Sequence, residues 1–313
     1  MQALCIGELA LDLIRIPEHA GRPSRFESHA GGSPANIAAG LQAAGLSASL
    51  ISRVGHDPAG RVLLESLAAL NISAQCVEED PSRSTRILFI DQEDPERRVR
   101  VQSPDSADLY LSLKQLPASV ADACRLLYVS GAVLRGPTSA RTVHHVVERV
   151  AAAPNALVAL DPNIVLGRGA SADAVRDSLN RLLPHVDVLQ VSAERRTQYW
   201  PEWSLDELRR RVPLLILTRG AEGATLYADG QAVTCPPPHV EVVDPTGAGD
   251  GFLARLLAAV VVETLFPQGP PLHASQLRRW GEEATRAAAR VLGKRGAATA
   301  YLRAEVEGTD PRQ

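Results

Sequence analysis

Asp244-Pro245-Thr246-Gly247-Ala248-Gly249-Asp250-Gly251-Phe252 is the stretch on which the reading of this chain turns. It follows Val240-Glu241-Val242-Val243, which reads as a strand, and opens a helix with Phe252, Leu253, Leu256, Leu257 and Val260 on its buried side. Two glycines within three residues free the backbone N–H groups to converge. Those groups and the positive end of the helix make an anion site. The third glycine of a dinucleotide fingerprint would fall on Phe252, so a dinucleotide oxidoreductase is a poor reading. Asp250 is the chemically informative residue. A carboxylate beside an anion site can take a proton from a hydroxyl while the N–H groups hold developing phosphoryl charge.

A second glycine motif lies far upstream, in Gly31-Gly32-Ser33-Pro34-Ala35-Asn36. Ser33 suits the N-cap of the following helix and Pro34 its first turn. Ile37, Leu41 and Ala44 share an apolar face, and Gly45 suits the stop. Asn36, in the first turn, offers a donor and an acceptor to a hydroxyl-rich molecule. Taken alone, this motif reads first as an ordinary glycine turn before a helix. Asp57-Pro58 caps a further helix through Leu63, Leu67 and Leu70.

Between the motifs the chain alternates. Residues 3–6, 48–54 and 85–91 read as strands, and 97–102 alternates as a half-exposed strand does. From 124 to 220, near-continuous apolar runs at 126–129, 156–160, 186–191 and 214–217 are separated by helix-like stretches at 138–153, 171–183 and 205–211. This is the pattern of an α/β protein with a parallel sheet covered on both faces. Ligands in such folds bind beyond the carboxyl ends of the strands. That rule marks Ser130-Gly131, Asp161-Pro162-Asn163, Ser192 and Thr218-Arg219-Gly220 as site candidates.

Composition narrows the chemistry. The 313 residues are 45% hydrophobic and 22% charged, the usual globular mix, with a net charge of −3 and only 4% aromatics. No basic excess recruits nucleic acid, and little is available to stack on bases. The longest apolar run, 256–262, is too short to span a bilayer, and the N-terminus has no signal-type pattern, so the reading is a cytoplasmic protein. Cys5, Cys76, Cys124 and Cys235 form no CxxC and read as reduced, mostly buried thiols. His144-His145 points to two faces of a helix. Lys114 and Lys294 are the only lysines, and neither lies in a P-loop or protein-kinase context.

Gly31-Gly32…Asn36 followed by DPTGAGDGF resembles the two signatures of the PfkB, or ribokinase-like, carbohydrate kinase family. Further segments fall in family order: Gly7-Glu8-Leu9-Ala10-Leu11-Asp12, Val54-Gly55-His56-Asp57-Pro58-Ala59-Gly60, Asp161-Pro162-Asn163, Thr218-Arg219-Gly220-Ala221-Glu222-Gly223 and Arg295-Gly296-Ala297. The segments from Ser84-Thr85 to Ser106-Ala107-Asp108-Leu109 and at 296–300 are most similar to bacterial fructokinases. The resemblance implies one ribokinase-like domain over 1–313, a mostly parallel central sheet flanked by helices on both faces, and a small β-sheet lid from about 9–30 and 84–104.

It also implies phosphorylation of a sugar hydroxyl by MgATP. By position, Asp250 is the base and Gly247, Ala248 and Gly249 the anion hole. Asp12, Gly31, Gly32 and Asn36 bind the sugar. Thr218, Gly220, Gly223, Ser192 and Glu194 serve the nucleotide and its Mg²⁺. Asp244, Thr246 and the loop at Gly296 match a K⁺ site. Fructose is the leading acceptor; ribose, a 2-keto-3-deoxy sugar acid or a riboside are the alternatives, as is a non-catalytic sugar- or nucleotide-binding relative. An acid substrate would need a cation such as Arg86, Arg98 or Arg100. A homodimer through the lid edge is a further expectation.

Three positions depart from the fructokinase pattern. Val165 stands where an Arg is usual, with Arg168 a possible substitute. Arg195 stands where an acid supports the metal–phosphate network, with Glu194 one residue early. Val99 and Val101 replace lid aromatics.

Overall fold

In β1 (Gln2–Ile6), side chains alternate between two buried clusters. Ala3 and Cys5 face one, Leu4 and Ile6 the other. Leu126 and Tyr128 against Leu127 and Val129 repeat the division in β8 (Cys124–Ser130), as do Leu214 and Ile216 against Leu215 and Leu217 in β11 (Leu214–Thr218). Strands buried on both faces need no polar alternation, which is why the sequence shows continuous apolar runs there. The computed structural model describes residues 2–16, 25–91, 99–101, 105–113, 118–153, 155–166, 172–263 and 271–301.

The remaining strands are β2 (Ala10–Ile16), β3 (Arg25–Gly31), β4 (Ser47–Gly55), β5 (Ser73–Asp80), β6 (Arg86–Ile90), β7 (Val99–Val101), β9 (Leu157–Asp161), β10 (Val188–Ser192), β12 (Ala224–Ala228) and β13 (Gln231–Cys235). The helices are α1 (Ser33–Ala43), α2 (Pro58–Ala69), α3 (Ala118–Asp122), α4 (Pro137–Ala151), α5 (Ala172–Leu182), α6 (Arg196–Tyr199), α7 (Leu205–Arg209), α8 (Ala248–Glu263) and α9 (Ala274–Leu292). The large sheet has the order β13-β12-β11-β10-β9-β8-β1-β4-β5. Its strands from β5 to β11 run parallel, and the β12–β13 hairpin closes one edge antiparallel. One cluster packs α1, α2, α8 and α9 on one face; the other packs α4, α5 and α7 on the opposite face.

A separate small sheet has the order β3-β2-β6-β7, its strands lying in the segments 9–31 and 84–104. Residues 17–24, 92–98 and 102–104 of those segments lie outside the described residues, as do Arg168 and Arg98 and the side chains of Val99, Arg100 and Val101. One carboxylate ties the two sheets together. Asp57 Oδ1 accepts the Gly60 N–H of α2 at 2.8 Å, as a cap does. Its Oδ2 accepts the Thr85 N–H at 2.8 Å, just before β6, and the Thr85 hydroxyl donates to Oδ1 at 2.7 Å.

The chain leaves β1 for β4 and β5 on one side and returns to β8 on the other, so strand order reverses at β1. The crevice outside the carboxyl ends of β1 and β8 is therefore where a ligand belongs.

Two local expectations need correction. Val240–Val243 is not a strand. Pro236, Pro237 and Pro238 remove three successive ladder donors after β13, and the Val243 and Asp244 N–H groups instead donate to Leu292 O at the end of α9, at 2.8 and 3.1 Å. Val242 and Val243 are exposed. Nor is Ser33 the N-cap of α1. Gly32 occupies that position, and Glu8, just past β1, accepts the Ser33 N–H through Oε1 at 3.1 Å. The cap comes from a neighbouring strand end, which sequence spacing does not show. Gly45 does end the helix, with φ 87°. All four cysteines are free and buried.

Candidate active site

α8 is buried almost all round, packed against α1 and α9, so its N-terminus is brought against that of α1. The two glycine motifs, over 200 residues apart, meet there. Asn36 Nδ2 donates to Asp250 Oδ2 at 2.7 Å. The Asn36 carbonyl oxygen is buried without a partner among the described residues, an acceptor left for a ligand hydroxyl. Asp250 is itself buried. Burial first, then the nearby charge of Asp161, raises its carboxyl to about 7, against the pull of the Asn36 donor.

The helix begins at Ala248, so the N–H groups of its first turn have no partner within the helix. Gly247 turns the chain into it with φ 76°, and a Cβ there would meet Ala297 Cβ at 2.0 Å. Asp244, fully buried, holds this turn against the loop after α9. Its Oδ1 accepts the Thr246 N–H at 2.9 Å and its Oδ2 the Gly296 N–H at 3.0 Å.

On the other side of Asp250, Asp12 of β2 is buried, with Oδ1 unpartnered. A Cβ on Gly31, which pairs with Ala10 two residues before Asp12, would lie 2.1 Å from that carboxylate, so the site requires glycine there. Burial, then Asp244, Glu8 and Asp250, raises the Asp12 carboxyl to about 8. Glu8 Oε2 is likewise orphaned. The floor of the crevice thus carries several buried carboxylates that repel one another. They do not converge as a chelate: among the described residues no three His, Cys, Asp or Glu side chains form a metal-holding group.

A cleft of about 200 Å³ opens beside Asp250, Gly247 and Gly249 and is bounded by the ends of β9, β10 and β11. Thr218 and Ser192 line it. Glu194 is exposed, and residues 193–195 form a turn rather than a helix, so the wall at this place is Arg195. Gly220 and Gly223, at φ 55° and 83°, shape the turn that follows β11. Three further residues join the site. Gln190 Nε2 donates to Asp161 Oδ2 at 2.8 Å and to Gly249 O at 3.3 Å. Asn163 Nδ2 donates to Ser33 Oγ at 2.8 Å, linking β9 to α1. Burial lifts the Asp161 carboxyl to about 6, against hydrogen bonds from Gln190 and the Asn163 N–H and the charge of Arg195. Asp161 and Asn163 are legible in sequence as polar residues ending a strand; Gln190 shows only as a polar residue inside an apolar run. Arg86 is buried, its Nε and Nη2 donating to Asp108 Oδ2 at 2.9 and 2.6 Å.

Comparison with known proteins identifies the family. The family model of the pfkB carbohydrate kinases matches residues 2–304, and the chain belongs to that family. A fructokinase of Klebsiella pneumoniae is 31% identical over 82% of this chain and 83% of its own. An uncharacterized sugar kinase of Pyrococcus horikoshii is 29% identical over 93% of this chain and 90% of its own. Its crystal structure superposes with a TM-score of 0.81, covering 96% of this chain and 94% of that one, and it has also been solved in complex with ATP. The fold is ribokinase-like, and the chain is a sugar kinase, a phosphotransferase acting on a sugar hydroxyl. Among the described residues no helix is long and apolar enough to cross a membrane.

Proposed function

We propose that this kinase transfers the γ-phosphoryl group of MgATP to a hydroxyl of a neutral sugar, with fructose the leading acceptor. The observation that carries the reading is the Asp250 carboxylate at the N-terminus of α8, beside the 247–249 backbone and hydrogen-bonded to Asn36. Asp12, Asn36 and the backbone at Gly31 and Gly32 receive the sugar hydroxyls. Asp250 takes the proton of the attacking hydroxyl as the sugar oxygen–phosphorus bond forms and the bond to the β,γ-bridging oxygen breaks. The N–H groups of Gly247, Ala248 and Gly249 hold the charge of the transferring group. Ser192, Thr218, Gly220 and Gly223 serve the nucleotide side; exposed Glu194 would reach it only through a rearranged turn.

The mutually repelling carboxylates favour a bound cation, and each oxygen of Asp244 keeps lone-pair capacity beyond the N–H it accepts. Asp244, Thr246 and the loop at Gly296 would hold a monovalent ion such as K⁺, which supplies positive charge beside the anion hole. The small sheet serves as a lid that excludes water from the phosphoryl group. The protein is read as cytoplasmic, with a homodimer through the lid edge.

A neutral acceptor is favoured over a sugar acid because Arg86 is committed to Asp108. A coupled ADP-release assay over sugars, sugar acids and ribosides tests the reading. Turnover should depend on the sugar and fall about 10²–10⁴-fold in Asp250→Asn. Sugar or nucleotide binding without turnover in folded wild-type protein would instead identify a non-catalytic relative.

A further inference from the structure

Arg195 is the only cationic side chain among the described residues lining the cleft beside Asp250. Two carboxylates, Asp161 and Asp250, line the same cleft. Arg195 is held at both its side chain and its backbone. Its Nη1 donates to Asn163 Oδ1 at 3.3 Å. Its backbone N–H donates to Ser192 O at 3.1 Å and Ser192 Oγ at 3.2 Å, which folds the 192–195 turn back on the end of β10. Asn163 is in turn bonded to Ser33 beside the first glycine motif, so the arginine is tied into the frame that carries Asn36 and Asp250. A guanidinium has five N–H donors, and its contacts to the Asn163 amide oxygen and the Tyr199 hydroxyl, both neutral groups, leave donors for a ligand.

Resting on the kinase reading above, we propose that Arg195 is a phosphate-contacting residue of this enzyme: its guanidinium neutralises the phosphate chain of the bound nucleotide and the transferring phosphoryl group from the β10 side, opposite the α8 N-terminus. Two sequence departures then share one cause. Val165, after the Asp161–Asn163 segment, is an exposed apolar residue with no charge to offer. The cation comes instead from the adjacent strand end and is hydrogen-bonded back to Asn163 of that segment. An arginine where an acid would support the metal–phosphate network shifts charge neutralisation from metal ion to protein. The nucleotide should consequently retain affinity when divalent metal is removed, because a planar guanidinium binds phosphate oxygens bidentately without one.

The test uses full-length protein and the non-hydrolysable analogue AMP-PNP, titrated with Mg²⁺ and with EDTA, together with ADP-release kinetics. Arg195→Gln should weaken AMP-PNP binding in EDTA about tenfold and less in excess Mg²⁺, and lower kcat about 10²-fold while the sugar KM stays nearly unchanged. Arg195→Lys should recover part of both losses, and Arg195→Glu should bind AMP-PNP in EDTA more weakly than Arg195→Gln. Equal EDTA affinities for wild type and both uncharged and reversed variants would overturn the proposal. So would unchanged kcat in Arg195→Gln. If the wild type bound AMP-PNP yet turned over no sugar, the kinase reading would fail, while the EDTA titration would still decide whether Arg195 meets phosphate.

Discussion

Asp250 has to be a base near neutral pH, and burial alone would make it too reluctant to ionise. The Asn36 N–H opposes that penalty, which leaves the carboxyl at about 7. A general base works best with a pKa near the operating pH, and here the Asn36 donor, helped by the Ser33 hydroxyl, brings the buried carboxyl to that value. Since the deprotonated form is the active one, kcat/KM should rise as pH increases through about 7. Replacing Asn36 with Leu removes the donor that favours the carboxylate, so the acid limb of the profile should move to higher pH. A limb that stays in place, measured with saturating MgATP, would separate Asn36 from the base. The pairing itself is invisible to spacing rules. Each residue stands out in its own glycine motif, but only α1 packing on α8 makes them neighbours.

At the level of elements, caps and turns carry the information that periodicity lacks. Asp57 was legible as the cap of α2, and it is one. Its second task, holding Thr85 at the root of β6, joins residues 28 positions apart and has no local signature. Asp57→Ala should therefore cost more than the ~1 kcal/mol of a lost cap, because the Thr85 N–H also loses its acceptor. A destabilisation of about 2–4 kcal/mol in urea unfolding is expected. A loss of under ~1 kcal/mol would mean that water replaces the carboxylate at both places. The misread strand at Val240–Val243 teaches the same lesson from the other side. A segment with three valines in four residues does not pair when three prolines precede it and the backbone donors find the end of α9 instead.

Over the whole molecule, the crevice collects acids whose folded pKa values are raised: Asp12 to about 8, Asp250 to about 7 and Asp161 to about 6. Each binds a proton more tightly folded than unfolded, so its stabilising contribution is complete below the unfolded carboxyl pKa and is lost as pH rises through the folded value. Tm should then fall as pH rises from about 6.5 to 8.5. Asp80, whose carboxyl is lowered, stays ionised across that window, and His144, lowered by burial, opposes the trend only at its acid end. A cation bound among the acids should restore part of the loss, so KCl should raise Tm more than choline chloride at equal ionic strength. Equal effects of the two salts would count against a K⁺ site at Asp244, and a flat Tm would deny the coupling of the acids.

From sequence alone came the α/β class, the parallel sheet of the long apolar runs and the two glycine motifs, with Asp250 as the residue to watch; the small second sheet came from the family resemblance. The former follow from local physics: periodicity reports burial, and glycine beside a helix start reports close backbone approach. Tertiary structure alone decided that Glu8 rather than Ser33 caps α1, that Asn36 meets Asp250, that Arg86 is spent on Asp108, and that Arg195 rather than Glu194 faces the cleft. Each of these depends on which strand ends and helix starts become neighbours in space. A carboxylate or guanidinium gives no hint in the linear chain of the partner that will set its charge.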